Sequence, residues 1–257
     1  MIKAVFLDFD GTVFSHYTEQ IPPSAIKAIR ALKEKGIIVY LCSGRAIAEM
    51  KDFDISELPI DGMILSNGQM VIDSENNIIY ENTIEGELKE KVIDMFNKKE
   101  IAMYICTDDD IFLNFANKRV KDITDAVSSP LPAIKEYTGQ KIYMCSPFFD
   151  DEETGEYIKE YFSDADITTW HNGAFDIVPK GSSKTIGIDK VIEEYGIDLS
   201  ETMGIGDGEN DIKMLKHCAI GVAMGNSIEE VKEAADYVCA HIDEDGVYEA
   251  LKHFNVI

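Results

Sequence analysis

The stretch Val5-Phe6-Leu7-Asp8-Phe9-Asp10-Gly11-Thr12 decides how the rest of the chain is read. An apolar run that starts at Ile2 ends on two aspartates spaced i, i+2, with Gly-Thr directly behind them. Four or five apolar residues closed by glycine predict a buried strand of the parallel, central kind. Open parallel sheets bind ligands beyond the carboxyl ends of their strands. Asp8 and Asp10 are therefore expected at the mouth of a crevice. Two carboxylates this close repel by about 4 kcal/mol at an effective dielectric near 20. A cation, a shared proton or water must offset that repulsion.

Outward from this stretch, apolar segments alternate with helical patterns. Pro22-Pro23-Ser24 opens a helix with Ile26, Ile29 and Leu32 on one face and Gly36 as its stop. Strands are predicted over 37–42 and 62–65, the first ending in Ser43-Gly44-Arg45 and the second in Ser66-Asn67-Gly68. Asn67-Gly68 also carries a tight-turn signal between 63–65 and 70–72. From about Thr83 the rhythm changes. A helix at 88–96, strands at 101–106, 111–115 and 141–145, a helix at 152–162 and a hairpin about Asn172-Gly173 predict a small α+β unit. Strand–helix alternation returns after Lys184 and runs to the end of the chain. The economical picture is an α/β parallel-sheet core built from both chain ends, with an α+β unit inserted near 83–180.

The totals narrow the function classes. With 257 residues, 45% hydrophobic and 28% charged, the composition is that of a globular protein of one large or two smaller domains. No run of 18 apolar residues marks a membrane helix, and no signal-peptide pattern opens the chain, so the cytoplasm is expected. A net charge of −24 argues against a nucleic-acid groove. It also requires any site for an anionic substrate to be made locally positive. The five cysteines are scattered, form no C-x-x-C, and read as buried free thiols.

Four groups recur at the ends of predicted core strands, and each also has a purely structural reading. Asp8/Asp10 could close a turn. Ser43 could cap a helix, or its hydroxyl and the neighbouring N–H groups, Gly44 included, could hold phosphate oxygens. Lys184 sits at a strand–helix junction in Lys180-Gly181-Ser182-Ser183-Lys184, with Lys180 an equal competitor by position. Gly206-Asp207-Gly208-Glu209-Asn210-Asp211 is a loop whose glycines let backbone approach a ligand. Its oxygens do not run at the alternate positions of an EF-hand. Carboxylates from two strands, a hydroxyl, a lysine and exposed N–H groups together suit Mg²⁺ and phosphate.

In order and spacing these four motifs resemble those of the haloacid dehalogenase (HAD) superfamily, over essentially the whole chain. The insertion of about 100 residues between Ser43 and Lys184 is similar to the large α/β cap of its Cof-type phosphatases (subfamily IIB), and Asn67-Gly68 falls where those have Ser-Asn-Gly. The resemblance implies a Rossmann-like, three-layer core over 1–82 and 183–257 and a substrate-specificity cap over 83–182. It implies that Asp8 is the nucleophile, forming an aspartyl-phosphate, and that Asp10 is the general acid and then base. It selects Lys184 over Lys180. It places Mg²⁺ on Asp8, Asp10 (through its backbone carbonyl), Asp207 and Asp211. It places phosphate on Ser43, Gly44, Lys184 and Asn210, and substrate beside Arg45, Asn67 and Gly68. Relatives that cleave carbon–halogen bonds lack the second aspartate and the transport ATPases have Thr there, so Asp10 favours a phosphatase or phosphomutase. The implied function is Mg²⁺-dependent hydrolysis of small phosphomonoesters, sugar phosphates first. A sugar phosphomutase or a non-catalytic sugar-phosphate sensor on the same scaffold are the alternatives. The implied partner is a small phosphorylated metabolite, with no nucleic acid and no membrane, and a monomer is compatible with all of this. Asn114, Trp170, His171 and Asn172 are cap candidates for substrate contact, although turn or core roles are expected to win. The other four histidines, His16 among them, are expected at the surface or in packing.

Overall fold

The structure is a computed structural model and describes residues 1–127 and 129–257. Along the chain run β1 (Ala4–Asp8), α1 (Pro23–Glu34), β2 (Ile38–Cys42), α2 (Ile47–Met50), β3 (Gly62–Leu65), β4 (Met70–Asp73) and β5 (Ile78–Glu81). They are followed by α3 (Gly86–Lys98), β6 (Met103–Cys106), β7 (Ile111–Leu113), α4 (Lys118–Ala126), β8 (Ala133–Ile134), β9 (Met144–Pro147) and α5 (Glu152–Tyr161). Then come β10 (Ala165–His171), β11 (Ala174–Pro179), α6 (Lys184–Tyr195), β12 (Thr202–Gly206), α7 (Ile212–His217), β13 (Ile220–Ala223), α8 (Glu229–Ala234), β14 (Tyr237–Val238) and α9 (Gly246–His253). The chain divides into two compact units. One holds Met1–Gly44, Asp54–Glu81 and Ser183–Ile257, the other Arg45–Phe53 and Asn82–Ser182.

The first unit is built on a sheet of order β14-β13-β12-β1-β2-β3-β4-β5. From β14 to β3 every pairing is parallel, while β4 and β5 add an antiparallel edge. Every residue of β1 is buried, as its unbroken apolar run requires of a strand covered on both faces. Ala4, Phe6, Tyr40 and Cys42 point to one face and share a core with Ile188 and Val191 of α6 and Met214 and Leu215 of α7. On α1 the buried positions are Ala25, Ala28, Ile29 and Leu32, one stripe at helical spacing, and the helix packs against β2 and α9. The strand order reverses between β1 and its neighbours β12 and β2. That reversal is the topological switch point, where an open α/β sheet leaves a crevice at its strand ends.

The second unit has a six-stranded sheet of order β10-β11-β9-β6-β7-β8, antiparallel except for β7–β8. One face is covered by α3 and α5 through Leu88, Val92, Phe96, Ile158 and Phe162. The other carries α4 through Val120 and Ile123, together with Ala46. Several expectations need correction. The strand expected at 141–145 begins three residues later, at Met144. Helix α4 was not foreseen. Ser43 does not cap the following helix, because Ala46 occupies that position and α2 is a single turn.

Candidate active site

Asp8 is the last residue of β1, which lies beside β12 and β2. Register pairs it with Cys42, so Ser43 is the next residue along the neighbouring strand end. The adjoining β12 ends in Gly206, which delivers Asp207 to the same edge. Lys184 opens α6 and is almost wholly buried. Its ammonium donates to Asp8 Oδ1 at 2.5 Å and to Asp211 Oδ1 at 2.6 Å. Asp211 is fully buried, and its other oxygen accepts the backbone N–H groups of Asp207 (3.0 Å) and Gly208 (2.9 Å). Both Asp211 oxygens are thus engaged by protein donors, so this side chain shapes the loop and anchors Lys184. The competing Lys180 is exposed and belongs to the second unit.

Asp207 is held from the first motif. Thr12 Oγ1 donates to Asp207 Oδ1 at 3.0 Å. Gly11 has φ +77°, and a Cβ there would lie 2.2 Å from Asp207 Oδ2, so only glycine lets the turn pass this close. Asp10 is different: its side chain is 30% exposed and pairs with His16 Nε2 at 2.9 Å. His16 in turn sits edge-on to Phe14.

A second cluster lies at the ends of β2 and β3. Ser66, Asn67 and Gly68 all have positive φ, at 49°, 55° and 96°. Asn tolerates that region and Gly is at home in it. At Gly68 a Cβ would sit 2.2 Å from the Ser183 carbonyl, against the start of α6. The turn is fixed by Asn67 N–H donating to the Ser43 carbonyl at 3.1 Å and by Asn210 Nδ2 donating to Asn67 Oδ1 at 3.2 Å. Gly44 is close enough that a Cβ would meet Asn67 Oδ1 at 3.2 Å. Ser43, Gly44, Asn67, Gly68 and Asn210 are therefore neighbours. Arg45 belongs to the second unit, where its guanidinium donates to Ser129 at 3.0 Å and lies over the Phe53 ring.

The electrostatics are unbalanced. Oxygens of Asp8, Asp207 and Asp211 lie within 4.8 Å of one another, and among the described residues this is the group of His, Cys, Asp or Glu spaced to hold a metal ion. Three carboxylates face one ammonium. Burial, then the charges of Asp211, Asp207 and Asp10, push the Asp8 carboxyl well above its usual range, against the opposing pull of Lys184. Asp207 is pushed up to about 7, by burial first and Asp211 next, with Thr12 and Lys184 opposing. For Lys184 burial alone would favour the neutral amine, but attraction from Asp211 and Asp8 outweighs it and the ammonium is held above its ordinary value. The directions agree: the lysine keeps its proton, and the surplus negative charge falls on the carboxylates. Hard oxygen donors with a charge deficit fit Mg²⁺.

Three participants were not singled out from the sequence. Thr12 stood in the quoted stretch without a role. His16 was assigned to surface or packing. Asn226 follows β13 and donates from Nδ2 to the Gly11 carbonyl at 2.8 Å and to Asp207 Oδ2 at 3.3 Å. Its signal was present, since Asn226 follows a core strand just as the four recognised groups do. In the second unit Asn114 is structural. It is buried, and its side chain bonds the backbone of Phe96, Ile101, Met103 and Phe115. Trp170 stands edge-on to Phe148, and the Asn172 carbonyl accepts from Arg119. All five cysteines are buried and free.

The comparisons with known proteins place the fold. The family model of haloacid dehalogenase-like hydrolases matches residues 5–251, and the chain belongs to that family. A Bacillus subtilis (strain 168) protein named "Putative phosphatase YkrA" is 33% identical over 258 residues, spanning 99% of this chain and 98% of its own. Among solved structures, BT1666 from Bacteroides thetaiotaomicron, described among phosphatases of the superfamily, superposes with a TM-score of 0.90. It is 32% identical and covers 100% of this chain and 96% of its own. BT4131, described as a HAD subclass IIB sugar phosphatase, has a TM-score of 0.87 and 36% identity, covering 99% of this chain and 100% of its own.

Proposed function

We propose that this chain is a Mg²⁺-dependent phosphatase of small phosphomonoesters, sugar phosphates first, working through an aspartyl-phosphate on Asp8. The observation that carries the reading is Lys184, sealed between Asp8 and Asp211 beside Asp207 at the switch point of the sheet. A buried lysine shared by two carboxylates in a cluster of three has no use as a plain structural ion pair. Replacing such groups with apolar residues is often neutral or stabilising. The similarity to a subclass IIB sugar phosphatase supports the substrate class.

Asp8, Asp207 and the Asp10 backbone carbonyl would hold Mg²⁺, with Asp211 bracing the loop behind them. When bound, Mg²⁺ supplies positive charge to phosphoryl oxygens. The chain's own residues do the rest. Lys184 opposes the burial and acidic neighbours that favour protonated Asp8, and it orients the carboxylate that attacks phosphorus. Ser43, the N–H of Gly44, Lys184 and Asn210 receive the phosphoryl oxygens whose charge spreads in the transition state. Asp10, outside the sealed cluster, gives its proton to the departing alkoxide and later takes one from the attacking water. Asn67 and Gly68 contact the leaving group. The second unit, including Arg45–Phe53, acts as the specificity domain.

The test is hydrolysis of p-nitrophenyl phosphate with Mg²⁺, with EDTA, and by Asp8→Asn. Turnover that needs Mg²⁺ and vanishes with the substitution is expected, and activity surviving Asp8→Asn would remove the nucleophile assignment. Ranking about a hundred phosphorylated metabolites by kcat/KM then identifies the substrate, because that ratio measures discrimination.

A further inference from the structure

Asp207 reaches the metal cluster from a glycine-flanked loop, where nothing in its own backbone fixes the plane of its carboxylate. Two contacts do. Thr12 Oγ1 holds Oδ1 at 3.0 Å, and Asn226 Nδ2 approaches Oδ2 at 3.3 Å. The Asn226 amide cannot turn over. Its Oδ1 accepts the backbone N–H of Ile242, a buried residue, at 3.0 Å, while its Nδ2 faces two acceptors, the Gly11 carbonyl and Asp207. Flipping it would set oxygen against oxygen on one side and N–H against N–H on the other. One half-buried side chain thus ties the loops after β1, β12 and β13 together at the strand ends.

We propose that Asn226 is a positioning residue for the divalent-cation site, locking the Asp207 carboxylate in the orientation that binds the ion. This rests on the Mg²⁺ reading given above. Partners that orient a ligand from behind typically change metal affinity by about 10- to 100-fold when removed. Thr12 would survive as one hinge, but Asp207 would be free to rotate about it, and a carboxylate that must be fixed on binding binds more weakly.

Mg²⁺ binding by the full-length protein is measured by calorimetry for the parent, Asn226→Ala and Asn226→Ser, with turnover followed against Mg²⁺ concentration. The serine variant keeps a small polar side chain whose hydroxyl falls short of Ile242, Gly11 and Asp207 alike, so it serves if the alanine variant does not fold. The expected result is a dissociation constant about tenfold or more weaker, with turnover restored by raising Mg²⁺. A purely structural role would lower turnover at every Mg²⁺ concentration. A Mg²⁺ affinity unchanged from the parent, or a loss of turnover that Mg²⁺ does not restore, overturns the assignment of Asn226 alone. A parent protein that binds no Mg²⁺ overturns the metal reading and this inference with it.

Discussion

Replacing Lys184 with methionine removes the one cation of the buried cluster while nearly preserving its volume. Asp8 and Asp211 then remain buried with no partner of opposite sign, and Asp207 stands beside them. Breaking a buried pair from one side costs about 3–5 kcal/mol. At about 2–4 °C per kcal/mol for a chain of this size, the melting temperature should fall by roughly 6–20 °C. The sign of the pH dependence follows from the directions of the shifts. Lys184 is held above its ordinary value, so its contribution is fully present below that value and is lost only at strongly alkaline pH. Between pH 5 and 8 it is constant. Asp8 is raised, and losing the lysine raises it further. A carboxyl raised on folding contributes stability below its unfolded value that is lost as pH climbs through its folded value. The deficit of Lys184→Met should therefore be large at pH 8 and shrink at pH 5, where the carboxylates take up protons instead. Thermal unfolding followed by circular dichroism in EDTA at both pH values measures it. A deficit equal at pH 5 and 8, or below about 1 kcal/mol, where exposed ion pairs fall, would refute the account of Lys184 as the counter-charge of the cluster.

The same charge imbalance has consequences for the other members. Because Asp207 is pushed up to about 7, protons compete with Mg²⁺ below neutrality. Calorimetric titrations from pH 5.5 to 8 should show affinity rising by about tenfold per unit and levelling above 7, and a flat profile would contradict the assignment. Asp8→Asn should abolish turnover yet raise the melting temperature of the metal-free protein at pH 8, since burial and three acidic neighbours penalise the ionised form. A lowered melting temperature would reverse that electrostatic picture. Asp10→Asn should cost about 10²–10⁴ in kcat for alkyl phosphates and far less for p-nitrophenyl phosphate, whose phenolate leaves unaided. Equal losses on both would count against Asp10 as the general acid.

Much of the fold was legible because a buried parallel strand leaves an unmistakable trace, an apolar run stopped by a charged residue and glycine. The runs ending at Asp8 and Gly206 are of this kind, and the one ending at Cys42 is stopped by serine and glycine instead. The return of strand–helix alternation after Lys184 is met by α6, which opens on that residue. What escaped depends on contacts distant in sequence. The Asn67-Gly68 turn does signal that 70–72 folds back on β3, whereas the edge strand at 78–81 was not foreseen. In α4 only Val120, Ile123 and Thr124 are buried, too narrow a stripe to stand out from its charged residues. Arg45 directly follows the phosphate-site candidates Ser43 and Gly44, yet it packs with the second unit. Sequence adjacency says nothing about which body a residue joins. For Asn114 the expected core role holds, and the folded register supplies its partners, four backbone groups that consume its amide.

Asp8 and Asp10 began as an equivalent pair needing a common counter-charge. Their surroundings make them unequal. The Asp8 side chain is 7% exposed and shares Lys184 with Asp211, so any charge it carries is confined to the cluster. Two residues on, the chain has left the strand, and the turn is closed by Gly11 N–H donating to the Phe14 carbonyl at 2.9 Å. That turn leaves Asp10 part-exposed and pairs it with His16 at 2.9 Å. A nucleophile must be fixed and shielded, whereas an acid–base group must exchange protons with its surroundings between two half-reactions. A buried strand end followed at once by a glycine turn supplies both environments within three residues, which is why the chemistry proposed here needs Asp-x-Asp-Gly at this edge and could not use two aspartates on one face of a helix.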